Sequence, residues 1–191
     1  MTDGIKSIQN EIAREAARLT ALDEERLGAI ILSNPCNPTG RVFRGEELAA
    51  WLEIARRKRC TMLFDEYYSH YIYNEDISPG SGPVSAAAHV EDVNRDPVVN
   101  FRYPGWRLGW AVGPESAVRS MTAAGSFIDG GPPRPMQRAA IDVLEPERAD
   151  QETETVRGVF AEKCAVTVER LSKMGVEFPL QPQGTFYAFG S

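Results

Sequence analysis

The stretch from residue 28 to residue 65 restricts the fold more than any other part of this sequence. It contains two short apolar runs, GAIILS at 28–33 and TMLFD at 61–65, and each has the length of a buried strand. Between them, residues 45–58 have a helical pattern with acidic residues early and basic residues late, as the helix dipole favours. No hairpin signal joins the two strands. We therefore predict a parallel β-α-β unit within an α/β fold that has a three-layer, mainly parallel sheet.

Alternation of strands and helices continues along the rest of the chain. A strand is predicted at 108–113, where LGWAVG is apolar, and residues 177–191 have strand composition interrupted by two prolines. Pro114 suits the first turn of the helix that follows the LGWAVG run. The predicted helices cover residues 6–19, 85–93, 114–124, 133–144 and 150–173.

Composition and charge argue against several classes of protein. The 191 residues have a formal net charge of −6, whereas a nucleic-acid or anionic-membrane surface requires a concentrated basic face. No run approaches the ~20 apolar residues of a membrane span, and the first residues have no signal-peptide core. The three cysteines lack CxxC spacing, and His70 and His89 lack metal-ligand spacing. We expect a reduced, cytoplasmic protein without a metal site, in which both histidines are packing or helix-surface residues.

Three polar clusters lie at the ends of predicted strands, where ligands bind in open α/β sheets. They are NPCNPTG at 34–40, DEYY at 65–68 and GWRLGW at 105–110. A carboxylate in an apolar setting requires a cationic partner, and the planar guanidinium of Arg107 suits a phosphate. Each cluster also has an ordinary structural interpretation: an Asx-rich turn, a helix N-cap aspartate, and an arginine stacked on tryptophan.

Taken together, NPxNPTG, D-x-x-Y and GWRLGW resemble the class I/II aminotransferases, the fold-type I enzymes that use pyridoxal 5′-phosphate (PLP). GSFIDGGPPRPMQRAA at 125–140 and QGTFYAF at 183–189 also look like landmarks of that family. The resemblance begins at about residue 28, and nothing before it is similar to the family's N-terminal half. It implies a partial PLP-binding large domain over 1–145, and a long helix with the beginning of a small α+β domain over 146–191.

The resemblance also implies roles for four residues. Asn37 and Tyr68 would hydrogen-bond the O3′ oxygen of the cofactor. Asp65 would pair with its pyridine nitrogen, and Arg107 would hold its phosphate. The substrate would be an amino acid or a 2-oxo acid, the protein would be a homodimer, and the runs DEYYSHYIY and RYPGWRLGW are similar to members in bacterial specialised metabolism.

One residue that the family requires is missing from this sequence. In class I/II aminotransferases a lysine about eight residues before the phosphate-binding arginine forms a Schiff base with the cofactor and moves the proton during amino-group transfer. Counting back from Arg107 gives Val99, and no lysine occurs between Lys58 and Lys163.

Three explanations of the missing lysine remain open. The chain is a shortened, lysine-free relative, or a short segment with the lysine is missing from the sequence, or the gene is broken. A segment missing from the sequence would leave an aminotransferase-family enzyme, a truly lysine-free chain would be a catalytically inactive relative that serves as a dimer partner, and a broken gene would be a remnant without activity.

Overall fold

The computed structural model describes residues 28–73, 84–94 and 107–191. The helix predicted at 6–19 and the position of Val99 lie outside these ranges. None of the helices within them combines the length and the apolar character that crossing a membrane requires. The described elements are β1 Ala29–Ser33, α1 Gly45–Lys58, β2 Thr61–Asp65, a 3₁₀ helix Ala86–His89, α2 Glu115–Ile128, α3 Arg134–Val143 and α4 Pro146–Lys173.

β1 and β2 form a parallel pair, in which Ala29 lies opposite Thr61 and Ser33 lies opposite Asp65. α1 connects the two strands, so the predicted β-α-β unit is confirmed. Because the strands run in the same direction and end in register, the turns that follow Ser33 and Asp65 leave the sheet at one edge. This edge is where the sequence predicts ligand contacts.

The hydrophobic core lies between α1 and one face of the two strands. Met62 and Phe64 of β2 are almost completely buried beneath the helix. Burial of each such side chain contributes about 1.5–3 kcal/mol to folding. The helix ends at Lys58, and its C-cap residue Arg59 adopts the left-handed conformation with φ of 51°. The apolar stripe of α1 consists of Leu48, Trp51, Leu52, Ile54 and Ala55.

β1 is less buried than its apolar sequence predicts. Ile30 and Leu32 pack partly against the core, but Ile31 between them is 73% exposed. Side chains alternate between the two faces of a strand, and α1 covers only one of them. The prediction of a buried first strand is therefore wrong for Ile31.

Two other predicted elements also differ from the structure. Residues 85–93 form only the short 3₁₀ helix, because Val90 takes an extended conformation at φ −111° and ψ 116°. Residues 108–113 are irregular rather than a strand, and the described part of the chain provides no neighbouring strand for them to pair with. A strand without a ladder partner leaves its backbone groups unsatisfied, so local apolar composition alone does not form one.

The later helices form where the sequence predicts them, with shifted bounds. α2 continues four residues beyond the predicted end, to Ile128. α4 begins at Pro146, earlier than the predicted residue 150, and proline is favourable in the first turn because its missing N–H has no helical partner there.

The turn after β1 is held by the buried side chain of Asn34. Its Nδ2 donates to the carbonyl oxygen of Phe43 at 3.1 Å, and its Oδ1 accepts from the Phe43 N–H at 2.8 Å. The Asn34 N–H itself donates to the Asp65 carbonyl at 2.9 Å. Asn34 therefore closes the turn with its side-chain amide and ties it to the end of β2 with its backbone N–H.

Residues 183–187, here called the docking segment, lie against this turn. The N–H groups of Gln183 and Gly184 both donate to the Gly40 carbonyl at 3.0 Å. On the other side, Thr185 donates to the Tyr71 carbonyl at 2.8 Å. An antiparallel bridge between Ile72 and Gly184 completes the contact, so residues 177–191 form a single bridge rather than the predicted strand.

We predict that Asn34→Ala lowers the free energy of unfolding by about 2–3 kcal/mol, since it leaves the buried N–H and carbonyl of Phe43 unpaired. Urea unfolding measures the change. Asn37→Ala is the matched control, because that asparagine is exposed and its loss is expected to cost less than about 0.5 kcal/mol. Equal destabilisation by the two variants would contradict the role of Asn34.

We predict that Gly184→Ala detaches the docking segment, because a Cβ there would lie 2.8 Å from the Tyr71 carbonyl oxygen and 3.2 Å from the Pro35 side chain. Hydrogen exchange of peptides covering 183–187 is expected to accelerate, with no matching change in α1. Gly158→Ala on α4 is the control, since a Cβ at Gly158 meets nothing within 4 Å. If hydrogen exchange in Gly184→Ala is unchanged, the docking segment does not require the close approach of Gly184 to Tyr71 and Pro35.

Candidate functional site

The candidate site is formed by the turns that follow β1 and β2 at the shared edge of the sheet. Asn37 lies in the first turn, Asp65 ends β2, and Tyr68 lies in the second turn. The Ser33 hydroxyl donates to the Pro35 carbonyl at 2.9 Å and accepts from the Asn37 N–H at 3.4 Å, which orders the first turn. Three of the four predicted site residues thus come from one edge.

Asn37 and Tyr68 meet at a single phenolic oxygen, that of Tyr187. The Asn37 Nδ2 donates to the Tyr187 hydroxyl oxygen at 3.4 Å, and the Tyr68 hydroxyl donates to the same oxygen at 3.1 Å. Tyr68 is buried, Tyr187 is half-buried and Asn37 is exposed. The arrangement is a pair of neutral donors that converge on an aromatic hydroxyl.

Aromatic packing fixes the orientation of Tyr68. Its ring makes edge-to-face contacts with Tyr67 at 4.4 Å, with Phe186 at 5.2 Å and with Tyr187 at 5.7 Å between centroids. Such contacts add about 0.5–1.5 kcal/mol each beyond simple burial. The docking segment thus contributes two aromatic rings to the site.

The electrostatic setting keeps Tyr68 protonated. Burial raises the pKa of its phenol, and the hydrogen bond with Tyr187 and the nearby charge of Asp65 raise it further. Burial also raises the pKa of Tyr67. Asp65 is half-buried, and its Oδ1 accepts from the Tyr67 N–H at 3.1 Å. At neutral pH the site therefore offers neutral phenol donors beside a carboxylate.

Arg107, the fourth predicted residue, lies in the wall of a cleft of about 780 Å³. The walls also include residues 108–111, Thr122 and Ser126 of α2, and the loop 129–133 that follows it. Asn37, Asp65 and Tyr68 do not line this cleft. Arg107 is exposed and has φ of 54°, an uncommon conformation for a residue with a side chain.

Tyr187 is the residue that sequence reasoning missed. QGTFYAF resembles a landmark of the family, but the sequence alone gives no role to any of its side chains. Tyr187 lies 119 residues after Tyr68, and no local pattern connects the two positions. The only available signal was the conspicuous aromatic pair Phe186-Tyr187 within that landmark.

His70 is a buried packing residue, as predicted for one of the two histidines. Its Nδ1 contacts the hydroxyl of Thr153, which also donates to the Ala149 carbonyl at 2.7 Å. This contact ties the turn after β2 to α4. In the three described ranges, no group of three or more histidine, cysteine, aspartate or glutamate side chains could hold a metal ion.

Comparison with known protein families gives a match over nearly the whole chain. The model for "Aminotransferase class I and II" matches residues 5–191. The chain is 27% identical over 185 residues to an aspartate aminotransferase of Pyrococcus abyssi, covering 95% of this chain and 46% of the relative. It is 31% identical over 164 residues to a probable aspartate/prephenate aminotransferase of Thermus aquaticus, covering 85% of this chain and 42% of the relative. The chain spans less than half the length of these relatives.

Solved structures of aminotransferases have the same fold. An aromatic aminotransferase of Pyrococcus horikoshii matches with a TM-score of 0.73 at 26% identity, over 85% of this chain and 43% of that one. N-succinyldiaminopimelate aminotransferase of Mycobacterium tuberculosis matches with a TM-score of 0.70 at 25% identity, over 83% and 40%. The predicted fold class, part of the fold-type I architecture, is confirmed by these neighbours. The chain belongs to the class I and II aminotransferases.

Proposed function

We propose that this chain holds the ring of PLP at the edge where β1 and β2 end, as part of an amino-acid aminotransferase. The observation that carries the proposal is the convergence of Asn37 and Tyr68 on one phenolic oxygen. The O3′ of PLP is also an aromatic hydroxyl oxygen. A site that places an amide N–H and a phenol O–H around such an oxygen has the donors that O3′ requires.

Asp65 would stabilise the protonated pyridine nitrogen. Its carboxylate is half-buried, and burial strengthens the attraction between opposite charges. A protonated ring draws electrons away from the reacting carbon, which is the chemistry that bound PLP supplies. This chain's contribution is therefore to bind and orient the ring and to keep its nitrogen charged.

Arg107 would hold the phosphate. A guanidinium binds phosphate through two parallel N–H donors, and the cleft beside Arg107 also contains the hydroxyl-bearing residues Thr122 and Ser126. Asp129 also lines this cleft, so the support comes from Arg107 and the two hydroxyl groups alone. The assignment of Arg107 is supported by this chemistry and by the sequence resemblance.

The proposal includes a division into two parts, with large-domain residues up to 145 and small-domain residues from 146. The beginning of α4 at Pro146 supports that boundary. The names of the relatives, which include aspartate and aromatic-amino-acid aminotransferases, favour an amino acid or 2-oxo acid as substrate. A cytoplasmic homodimer in specialised metabolism completes the proposal.

A second candidate function is a catalytically inactive relative that binds the ring, or serves as a dimer partner, without transferring an amino group. It is favoured by the absence of any lysine between Lys58 and Lys163. The raised pKa values of Tyr67 and Tyr68 also make these phenols poor bases near neutral pH. Proton transfer in the reaction needs a base of nearly matched pKa.

We predict that PLP binds and that Asp65→Asn weakens its binding about 10- to 100-fold, because a charge-assisted hydrogen bond is worth about 1.5–3 kcal/mol. Quenching of tryptophan fluorescence measures the affinity. Asp142→Asn, at an exposed position on α3, is the matched control and is expected to bind normally. Identical affinities in the two variants would rule out Asp65 as the partner of the ring nitrogen.

Borohydride reduction of the PLP-loaded chain separates the two candidate functions. A reduced adduct on a lysine, with turnover of an amino donor, supports amino-group transfer. Binding that is sensitive to Asp65→Asn but leaves no adduct supports the inactive relative. Absence of binding to any variant would contradict amino-group transfer and ring binding alike, and would leave only the dimer-partner role of the inactive relative.

We predict that Tyr68 makes stability depend on pH in the alkaline range. The pKa of Tyr68 in the folded state is raised above the ordinary value of about 10. Its contribution to the free energy of unfolding is therefore present below pH 10 and is lost as pH rises further. The free energy of unfolding in urea should therefore fall more between pH 9 and pH 11 in the unmodified chain than in Tyr68→Phe. Tyr67, Tyr71 and Tyr73 also have raised pKa values, but they are present in both proteins. Equal losses would contradict the assignment to Tyr68.

A further inference from the structure

We propose that the Tyr187 phenol is an internal competitor of the cofactor ring, occupying the position that the proposed function gives to the O3′ oxygen. The inference rests on that proposed function. Asn37 and Tyr68 donate to Tyr187 at 3.4 and 3.1 Å. The Tyr68 hydroxyl has one proton to donate, so while it donates to Tyr187 it cannot donate to a ring oxygen, and the two oxygens compete for this donor and for the Asn37 N–H.

The chemical match between the two occupants is close. The Tyr187 side chain is a phenol, and the proposed ligand is a 3-hydroxypyridine, so both present an aromatic hydroxyl to the same pair of donors. The Asp65 carboxylate has a different partner, since it accepts the Tyr67 N–H at 3.1 Å.

Displacement of the Tyr187 side chain does not require the docking segment to detach. The segment is held by backbone hydrogen bonds from Gln183 and Gly184 to Gly40 and from Thr185 to Tyr71. The Tyr187 side chain is half-buried, and the residues that follow it are exposed. Rotation of one side chain therefore vacates the oxygen position while the backbone stays docked. We call this arrangement the latch: the Tyr187 side chain takes up the two donors and can leave them by rotation.

The test is titration of the 191-residue chain with pyridoxine 5′-phosphate, which has the 3-hydroxyl but no aldehyde, so that no Schiff base contributes. Tyr187→Phe removes the competing hydroxyl and keeps the ring. We expect this variant to bind about 5-fold more tightly, the equivalent of one neutral hydrogen bond. Unchanged or weaker binding would overturn the latch, and weaker binding would make Tyr187 a residue that holds the ring.

Tyr73→Phe is the matched control. The Tyr73 hydroxyl donates to the Thr185 carbonyl, so this substitution also loosens the docking segment but leaves Asn37 and Tyr68 untouched. We expect its affinity to stay within about 2-fold of the unmodified chain. Equal tightening by Tyr73→Phe and Tyr187→Phe would overturn the proposal, because the segment as a whole, rather than the phenol oxygen, would then be the competitor.

A second ligand isolates the oxygen position. An analogue of pyridoxine 5′-phosphate without the 3-hydroxyl has nothing to place between Asn37 and Tyr68, so its affinity should be insensitive to Tyr187→Phe. Increased affinity for this analogue would overturn the proposal. Failure of the proposed function has a different result: none of the variants then binds either ligand. A failed latch leaves binding that is sensitive to Asp65→Asn but indifferent to Tyr187→Phe.

A measurement without ligand checks the contact itself and keeps the proposal testable if affinity is low. The hydrogen bond with Tyr187 contributes to the raised pKa of Tyr68. Absorbance titration at alkaline pH should therefore show one phenol ionising earlier in Tyr187→Phe than in Tyr73→Phe. Each variant lacks one phenol. If the absorbance titrations of the two variants are identical once that phenol is subtracted, the proposed contact between Tyr68 and Tyr187 is overturned.

Discussion

The carbonyl oxygen of Gly40 accepts the two backbone hydrogen bonds on which the candidate site depends. Gln183 and Gly184 both donate to it at 3.0 Å. Backbones this close leave no room for a side chain, since a Cβ on Gly40 would lie 2.9 Å from the Gly184 carbonyl oxygen. Gly40 also has φ of +71°, a conformation that glycine adopts without strain. The close packing of the backbone at Gly40 against the backbone at Gly184 places Tyr187 beside the ends of the two strands.

Sequence patterns predicted those parts of the molecule that depend on local order. β1, α1 and β2 follow from short apolar runs and one amphipathic helix, and the parallel pairing follows from the lack of a hairpin. Asn37, Asp65 and Tyr68 could be placed at one edge because parallel strands end together. Tyr187 could not be placed, because its partner Tyr68 is 119 residues away and only the folded chain brings them into contact. The irregular LGWAVG run shows the same limit, since a strand forms only where another strand pairs with it.

Under the proposed function, holding the cofactor ring and bonding to it covalently would be separate tasks in this chain. The proposed contacts to the ring use an amide, a phenol and a carboxylate, none of which depends on the family's lysine. Buried, protonated phenols donate hydrogen bonds well and accept protons poorly. The described residues are therefore suited to binding an aromatic hydroxyl, whether it belongs to Tyr187 or to a cofactor. The family match covers residues 5–191, whereas amino-group transfer would require the amine of one lysine.

The coupling free energy between Tyr68 and Tyr187 tests this account most directly. It is obtained from the unfolding free energies of the unmodified chain, the two single Tyr→Phe variants and the double variant. A direct hydrogen bond at 3.1 Å predicts a coupling of about 1 kcal/mol. Effects that add to within about 0.3 kcal/mol would show that the two phenols do not interact, and the convergent site described here would be wrong.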